Sequence, residues 1–164
     1  MEEIYVSDTR EVVKNKDKLE RELGVKIFVD GKKILIEGSG VAEYESVMVF
    51  GAIDFGFTVK QALSLKDEEK LFRKIHIKEH TKRNLKDVLS RVIGIKGKAK
   101  RTMESISNCR ILIKEKEIGV LGDVEDVDNV ITAIIHIIKG SKQSNMYSYL
   151  ERMNRMKKVE INQR

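Results

Sequence analysis

Proline and tryptophan are absent from this 164-residue chain, cysteine occurs once, and aromatic residues make up only 5%. Each shortage excludes something. Without proline, helix ends and domain boundaries have to be marked by glycine and by capping side chains. The lone Cys109 rules out an internal disulfide and a cysteine-based metal site. The histidines His76, His80 and His136 offer no helical metal pair, because His76 and His80 fall in a stretch that alternates like a strand. Scarce aromatics argue against base stacking as the main binding device. No apolar run approaches the roughly 18 residues of a membrane span, and the N-terminus lacks a signal-peptide pattern, so a soluble, cytoplasmic protein is expected. Nucleophile motifs, paired-carboxylate signatures and the phosphate-binding GxxxxGK[ST] are all missing. The expectation is a protein that is not an enzyme and needs no cofactor or metal.

What is present is a foldable, basic chain. Hydrophobic residues make up 41% and charged residues 35%, with a net charge of +6 and a pI of about 9.3. That balance favours an acidic partner such as nucleic acid. Strand-like alternation appears at 4–6, 25–29, 32–36, 71–77, 110–114 and 118–121. Asp30-Gly31 between two apolar runs predicts a hairpin. Helical spacing predicts helices over 12–23, 41–50 or a little beyond, 58–65 with Thr58 as cap, 81–92, 98–107, 124–139 and 144–158. Leu85, Val88, Leu89 and Val92 share one face of the fourth of these. The polar stretch 64–70 reads as a linker between a domain over 1–66 and another over 70–164.

The two halves repeat at an offset of 84 residues, with no gap over nearly fifty positions. Ile27 falls on Ile111, Ile34 on Ile118, Gly38 on Gly122, Ile53 on Ile137 and Gly56 on Gly140. Lys16, Glu20 and Lys32 fall on Lys100, Glu104 and Lys116. Matching apolar positions and matching phase of strand and helix signals predict two small domains of one fold.

One stretch concentrates the chemistry. In Arg91-Val92-Ile93-Gly94-Ile95-Lys96-Gly97-Lys98-Ala99-Lys100-Arg101, two glycines three apart interrupt a helical run among five cations. Glycine admits backbone angles that other residues resist and allows a second backbone to come close. A turn that gathers main-chain N–H groups and lysines at a helix start suits a phosphate. In the first half, Arg10-Glu11-Val12-Val13 occupies the place of this GxxG, and Glu11 would repel phosphate. Cys109, aligned with Val25, reads as a small buried hydrophobe. His136 reads as structural, within the apolar 134–138 run. The acidic run Asp123, Glu125, Asp126 and Asp128 reads as helix capping rather than metal binding.

The order strand, helix, GxxG, helix, strand, strand, helix resembles the KH domain of type I. It implies an α+β protein of two tandem βααββα domains, each a three-stranded antiparallel sheet covered by helices, plus a C-terminal helix. The first copy is degenerate and the second intact. Val120-Leu121-Gly122-Asp123, Gly140-Ser141 and Met146-Tyr147-Ser148-Tyr149-Leu150-Glu151 add a narrower likeness. Over about 71–151 the chain is similar to the small-subunit ribosome assembly factors of archaea and eukaryotes, the partner-of-Nob family. In KH domains the turn clamps about four unpaired nucleotides. The resemblance therefore implies phosphate contact by Gly94, Ile95, Lys96 and Gly97, flanked by Arg91, Lys98, Lys100 and Arg101. It implies an apolar strip for bases at Ile93, Ile106, Ile111 and Ile113, with Arg110 at the rim. It further implies single-stranded RNA near the 3′ end of small-subunit rRNA as ligand. The maturation endonuclease Nob and the alpha subunit of translation initiation factor two are the implied protein partners. A protein-interaction adaptor for a translation initiation factor, with weak nonspecific RNA binding, is the alternative.

Overall fold

Alternating apolar residues on either side of a tight loop make the first sheet. In the computed structural model, which describes residues 1–163, β1 (Glu2–Tyr5) is followed by α1 (Arg10–Lys14) and α2 (Lys16–Leu23). Strands β2 (Lys26–Asp30) and β3 (Lys33–Glu37) then form the hairpin at Gly31-Lys32. The sheet order is β1-β3-β2, antiparallel throughout, with Ile4 opposite Ile34 and Ile27 opposite Ile36. Ile27, Ile34 and Ile36 are buried. Helix α3 (Gly40–Phe55) buries Val49, Phe50 and Ile53. Ser39 caps it by accepting from Ala42 N, and a full capping box at Thr58 and Gln61 starts α4 (Val59–Leu63). A 3-10 turn over Ser64–Lys66 follows, with Leu65 buried, so the front of the expected linker is ordered core.

The second sheet repeats the first. Strand β4 (Lys70–His76) leads to a 3-10 turn, then α5 (Leu85–Ile93) and, past the glycine turn, α6 (Lys98–Ser107). Strands β5 (Arg110–Lys114) and β6 (Glu117–Asp123) pair antiparallel, and the sheet order is β4-β6-β5. Ile77 N donates to Lys116 O at 3.0 Å, so the end of β4 meets the start of β6. Helices α7 (Val124–Ile138) and α8 (Gln143–Asn162) complete the unit. Its core gathers Val88 and Val92 of α5, Met103 of α6, Ile111 and Ile118 of the hairpin, and Ile134 and Ile137 of α7. The chain divides into two compact units, Met1–Lys70 and Leu71 onward.

Two devices recur at the offset of 84. Glu20 Oε2 accepts from Ile27 N at 2.9 Å, and Glu104 Oε2 accepts from Ile111 N at 3.0 Å. Each carboxylate ties the second helix of its unit to the following strand. A Cβ on Gly38 would lie 2.8 Å from Val25 Cγ1, and a Cβ on Gly122 would lie 2.7 Å from Cys109 Sγ. In both units, then, a glycine on the hairpin makes room for the small buried side chain facing it. Cys109 is 1% exposed, and burial pushes its thiol up to about 11, with a weaker opposing hydrogen bond from Ser107.

Several expected boundaries shift. The single helix over 12–23 is two helices broken at Asn15. Helix α5 starts at Leu85 rather than 81, because the Asn84 side chain accepts from Lys86 N and Asp87 N and caps it there. His136 is exposed on α7 rather than packed inside. Asp123 makes no side-chain cap to α7. Asp126 and Asp123 instead face Lys157 of α8, at 3.0 and 3.8 Å, while Asp128 takes Arg73 at 2.8 Å.

Candidate nucleic-acid interface

Helix α5 ends because Gly94, at φ 79 and ψ 173, takes a conformation that side chains forbid. Ile95, Lys96 and Gly97 make one tight turn whose backbone is not helical at Lys96, and α6 starts at Lys98. Lys96 sits at φ 53 and Gly97 at φ 77, so two successive left-handed residues turn the chain back on itself. The closure is tight: a Cβ on Gly94 would lie 2.6 Å from Ala99 N. Gly97 N donates to Gly94 O at 3.1 Å. Arg101 Nη1 donates to Lys96 O at 2.5 Å, its guanidinium lying over the bare face of Gly97. The result is a backbone loop at the positive end of α6, with Ile95 84% exposed at its tip and Lys96 exposed beside it.

The five cations of the stretch do different work. Lys96 and Lys98 are exposed and face no carboxylate among the described residues. Lys100 is half-buried and pairs with Glu104 at 3.1 Å, the carboxylate that also holds Ile111 N. Arg101 holds the turn. Arg91 Nη2 donates to Ser141 O at 2.6 Å, and Gln143 Nε2 donates back to Arg91 O at 2.6 Å. Those bonds fix the start of α8 beside the turn. The electrostatic contribution open to a phosphate thus rests on Lys96 and Lys98, and the other three cations build the scaffold.

The expected base strip needs one correction. Ile111 is 2% exposed and lies in the core, because its strand turns that side chain inward beneath α6. Ile93, Ile106 and Ile113 are half-buried, with one side free, and Arg110 is exposed at the edge. Sequence reasoning passed over the opposite side of the turn. There a groove of about 540 Å³ opens between Arg91, Gly94 and Lys98 on one wall and Lys142, Gln143 and Tyr147 on the other. Burial raises the Tyr147 phenol, against a hydrogen bond with Thr102. The signal for this wall was in the Gly140-Ser141 and Tyr147 elements, which mark the start of α8.

In the first unit, α1 runs straight through Arg10, Glu11, Val12 and Val13. None of these four has positive φ, Val12 is 1% exposed in the core, and Arg10 pairs with Asp8 at 2.6 Å. A phosphate-cradling turn is absent there. Among the described residues no cluster of His, Cys, Asp or Glu could hold a metal, and no helix is long and apolar enough to cross a membrane.

Comparison with known proteins agrees with this geometry. A family model described as the eukaryotic-type KH domain, KH domain type I, matches residues 71–155, just over half of the chain. A KH domain-containing protein of Methanocaldococcus jannaschii is 27% identical over 145 residues, which cover 84% of this chain and 64% of that protein. The RNA-binding protein PNO1 of Oryzias latipes is 30% identical over 100 residues, 58% of this chain and 41% of that one. The chain thus spans less than two thirds of the length of these curated relatives. A crystal structure of a protein of unknown function from Aeropyrum pernix superposes with a TM-score of 0.87 at 26% identity, covering 99% of this chain and 95% of that one. A complex of a/eIF2alpha, aDim2p and rRNA from Pyrococcus horikoshii contains a chain with a TM-score of 0.80 at 22% identity, with 92% of each chain covered.

Proposed function

The chain belongs to the PNO1-type family of type I KH domains, and on that premise we propose that it is a non-catalytic RNA-binding factor of small-subunit rRNA maturation. Unit 2 grips a single-stranded segment near the rRNA 3′ end. The observation that carries this reading is the turn itself: Gly94, Lys96 and Gly97 hold a tight, exposed loop at the head of α6, with Lys96 and Lys98 free to meet phosphate. Ile93, Ile106 and Ile113 offer the half-buried apolar edge for bases, and Arg110 closes the rim. The Pyrococcus complex supports the alpha subunit of translation initiation factor two as a protein partner. The endonuclease Nob is the second partner the family implies. Phosphate contacts of this kind give affinity and salt dependence, and the sequence preference comes from the apolar edge.

The test is binding of the wild type and a Lys96→Asp, Lys98→Asp variant to single-stranded RNA ending in the mature 3′ sequence, against a scrambled RNA, at several salt concentrations. The expected result is preference for the rRNA end, lost in the variant. Two phosphate contacts removed from a single strand should lower the salt slope by about 1.4. Equal, weak binding of both RNAs by both proteins would remove the turn from the account and favour an adaptor for a translation factor.

A further inference from the structure

Four cations, Lys78, Lys82, Arg83 and Lys86, surround a hollow of about 780 Å³ at the head of α5, the opposite end of that helix from the glycine turn. Their loop and first helical turn carry only two carboxylates, Glu79 and Asp87. None of the three lysines pairs with a carboxylate among the described residues, in contrast to Lys100 and Lys157. Nine residues at 1.5 Å each make α5 about 13 Å long, so the two ends are a short step apart.

The space between them is bridged by the loop from α7 to α8. The Arg83 guanidinium lies against Gly140, where a Cβ would come within 2.9 Å of Nη1. Arg91 Nη2 holds Ser141 O at 2.6 Å. The next residue, Lys142, is exposed on the wall of the groove beside the turn. Three segments distant in sequence are thereby held on one side of α5, with cations at both ends and in the middle. Unpaired lysines in such a row attract a polyanion rather than one another, and the row is continuous with the turn.

We infer that a single strand of RNA held at the Gly94–Gly97 turn continues past Lys142 to the basic loop at 78–86, so that unit 2 binds a longer stretch than the turn alone holds. The inference rests on the turn being an RNA site and adds the direction and extent of the strand. A turn of this type accounts for about four nucleotides. The loop adds phosphate contacts at its three free lysines, each steepening the salt dependence by about 0.7.

The experiment compares single-stranded RNAs of about four and about ten nucleotides on the full chain, with two variants. One is Lys78→Glu, Lys82→Glu, Lys86→Glu, and the other is Lys96→Asp, Lys98→Asp. Expected for the wild type are at least about tenfold tighter binding of the longer RNA and a salt slope steeper by about 2. The triple variant keeps its affinity for the short RNA, which also reports that it is folded, and loses the gain from length. Equal affinity of the wild type for both lengths overturns the inference while leaving the turn in place. A gain from length that survives the triple variant also overturns it and leaves the lysines to an acidic protein surface. Undiminished binding of the short RNA by the Lys96→Asp, Lys98→Asp variant would instead refute the turn as the site, and the track would fall with it.

Discussion

A methyl group at residue 94 has nowhere to go. Gly94 combines a φ of 79 and a ψ of 173, a region nearly closed to side chains, with the backbone of Ala99 pressed against it. Gly97 has an equally positive φ, but its open face is covered only by the movable end of Arg101. Gly97→Ala should therefore cost about 1–2 kcal/mol and leave RNA binding recognisable. Gly94→Ala should cost at least about 3 kcal/mol, strain and collision together, and abolish binding. Urea denaturation and RNA titration of the two variants, side by side, check the difference. Cys109 makes a second prediction at this scale. Its folded thiol stays protonated up to about 11, above the value in an unfolded chain. That stability is complete below the unfolded value and is lost as pH rises between the two, about 2–3 kcal/mol in all. Cys109→Val copies Val25, which packs on Gly38 as Cys109 packs on Gly122. It should fold normally and lose this alkaline decline, as thermal melts across the range would show.

Helix α8 is held by side chains that its own sequence does not announce. Lys157 bridges to Asp126 and Asp123 at the start of α7, and the Asn154 side-chain amide donates to Ile106 O. Burial pulls the Lys157 ammonium down, yet the hydrogen bond to Asp126 and the field of both carboxylates leave it above its ordinary value. Its contribution is thus full below the unfolded value and lost as pH rises through the folded one. Lys157→Met should increase hydrogen exchange in α8 near neutral pH, and the alkaline loosening of α8 expected of the wild type should vanish. Elements stabilised by local pattern were legible in the chain: β5 and α6 stand where alternation and the Gly97 boundary place them. Elements decided by a single side-chain bond were not. The Asn84 cap, which removes four residues from the start of α5, looks in sequence like one more polar residue in a helical run. The break at Asn15 is equally silent, since Val12 and Leu19 both fit one continuous helix.

At the scale of the whole molecule, every residue assigned to RNA lies in the second unit. A chain of residues 71–164 alone should bind the rRNA 3′ segment with the salt slope of the full protein, and residues 1–70 alone should show none. Fluorescence anisotropy with both pieces checks this. The repeat, the sheet order and the turn were readable because they rest on glycines and on apolar phase. The division of labour among the cations was not. Lys100 stands four residues before Glu104, a helical spacing that favours pairing, but only the structure shows that this carboxylate also holds Ile111 N and that Arg91 and Arg101 are spent on backbone carbonyls. Nor could spacing tell Ile111 from Ile113: both lie on the same face of β5, and only the packing shows that the first is in the core and the second half-buried at its margin.

Position 12 carries a consequence for the protein's history. It corresponds to Lys96 at the offset of 84, but here a valine fills the interior of the first unit. Restoring a glycine turn there means pulling Val12 out of the core and leaving a hole of the kind that costs a folded protein several kcal/mol. The carboxylate clamp at Glu20 keeps that unit intact without the turn, so nothing in its architecture calls the turn back. The repeat thus works as a ratchet: passing from helix to loop there would take several coordinated changes at once, and the two copies are held to separate roles.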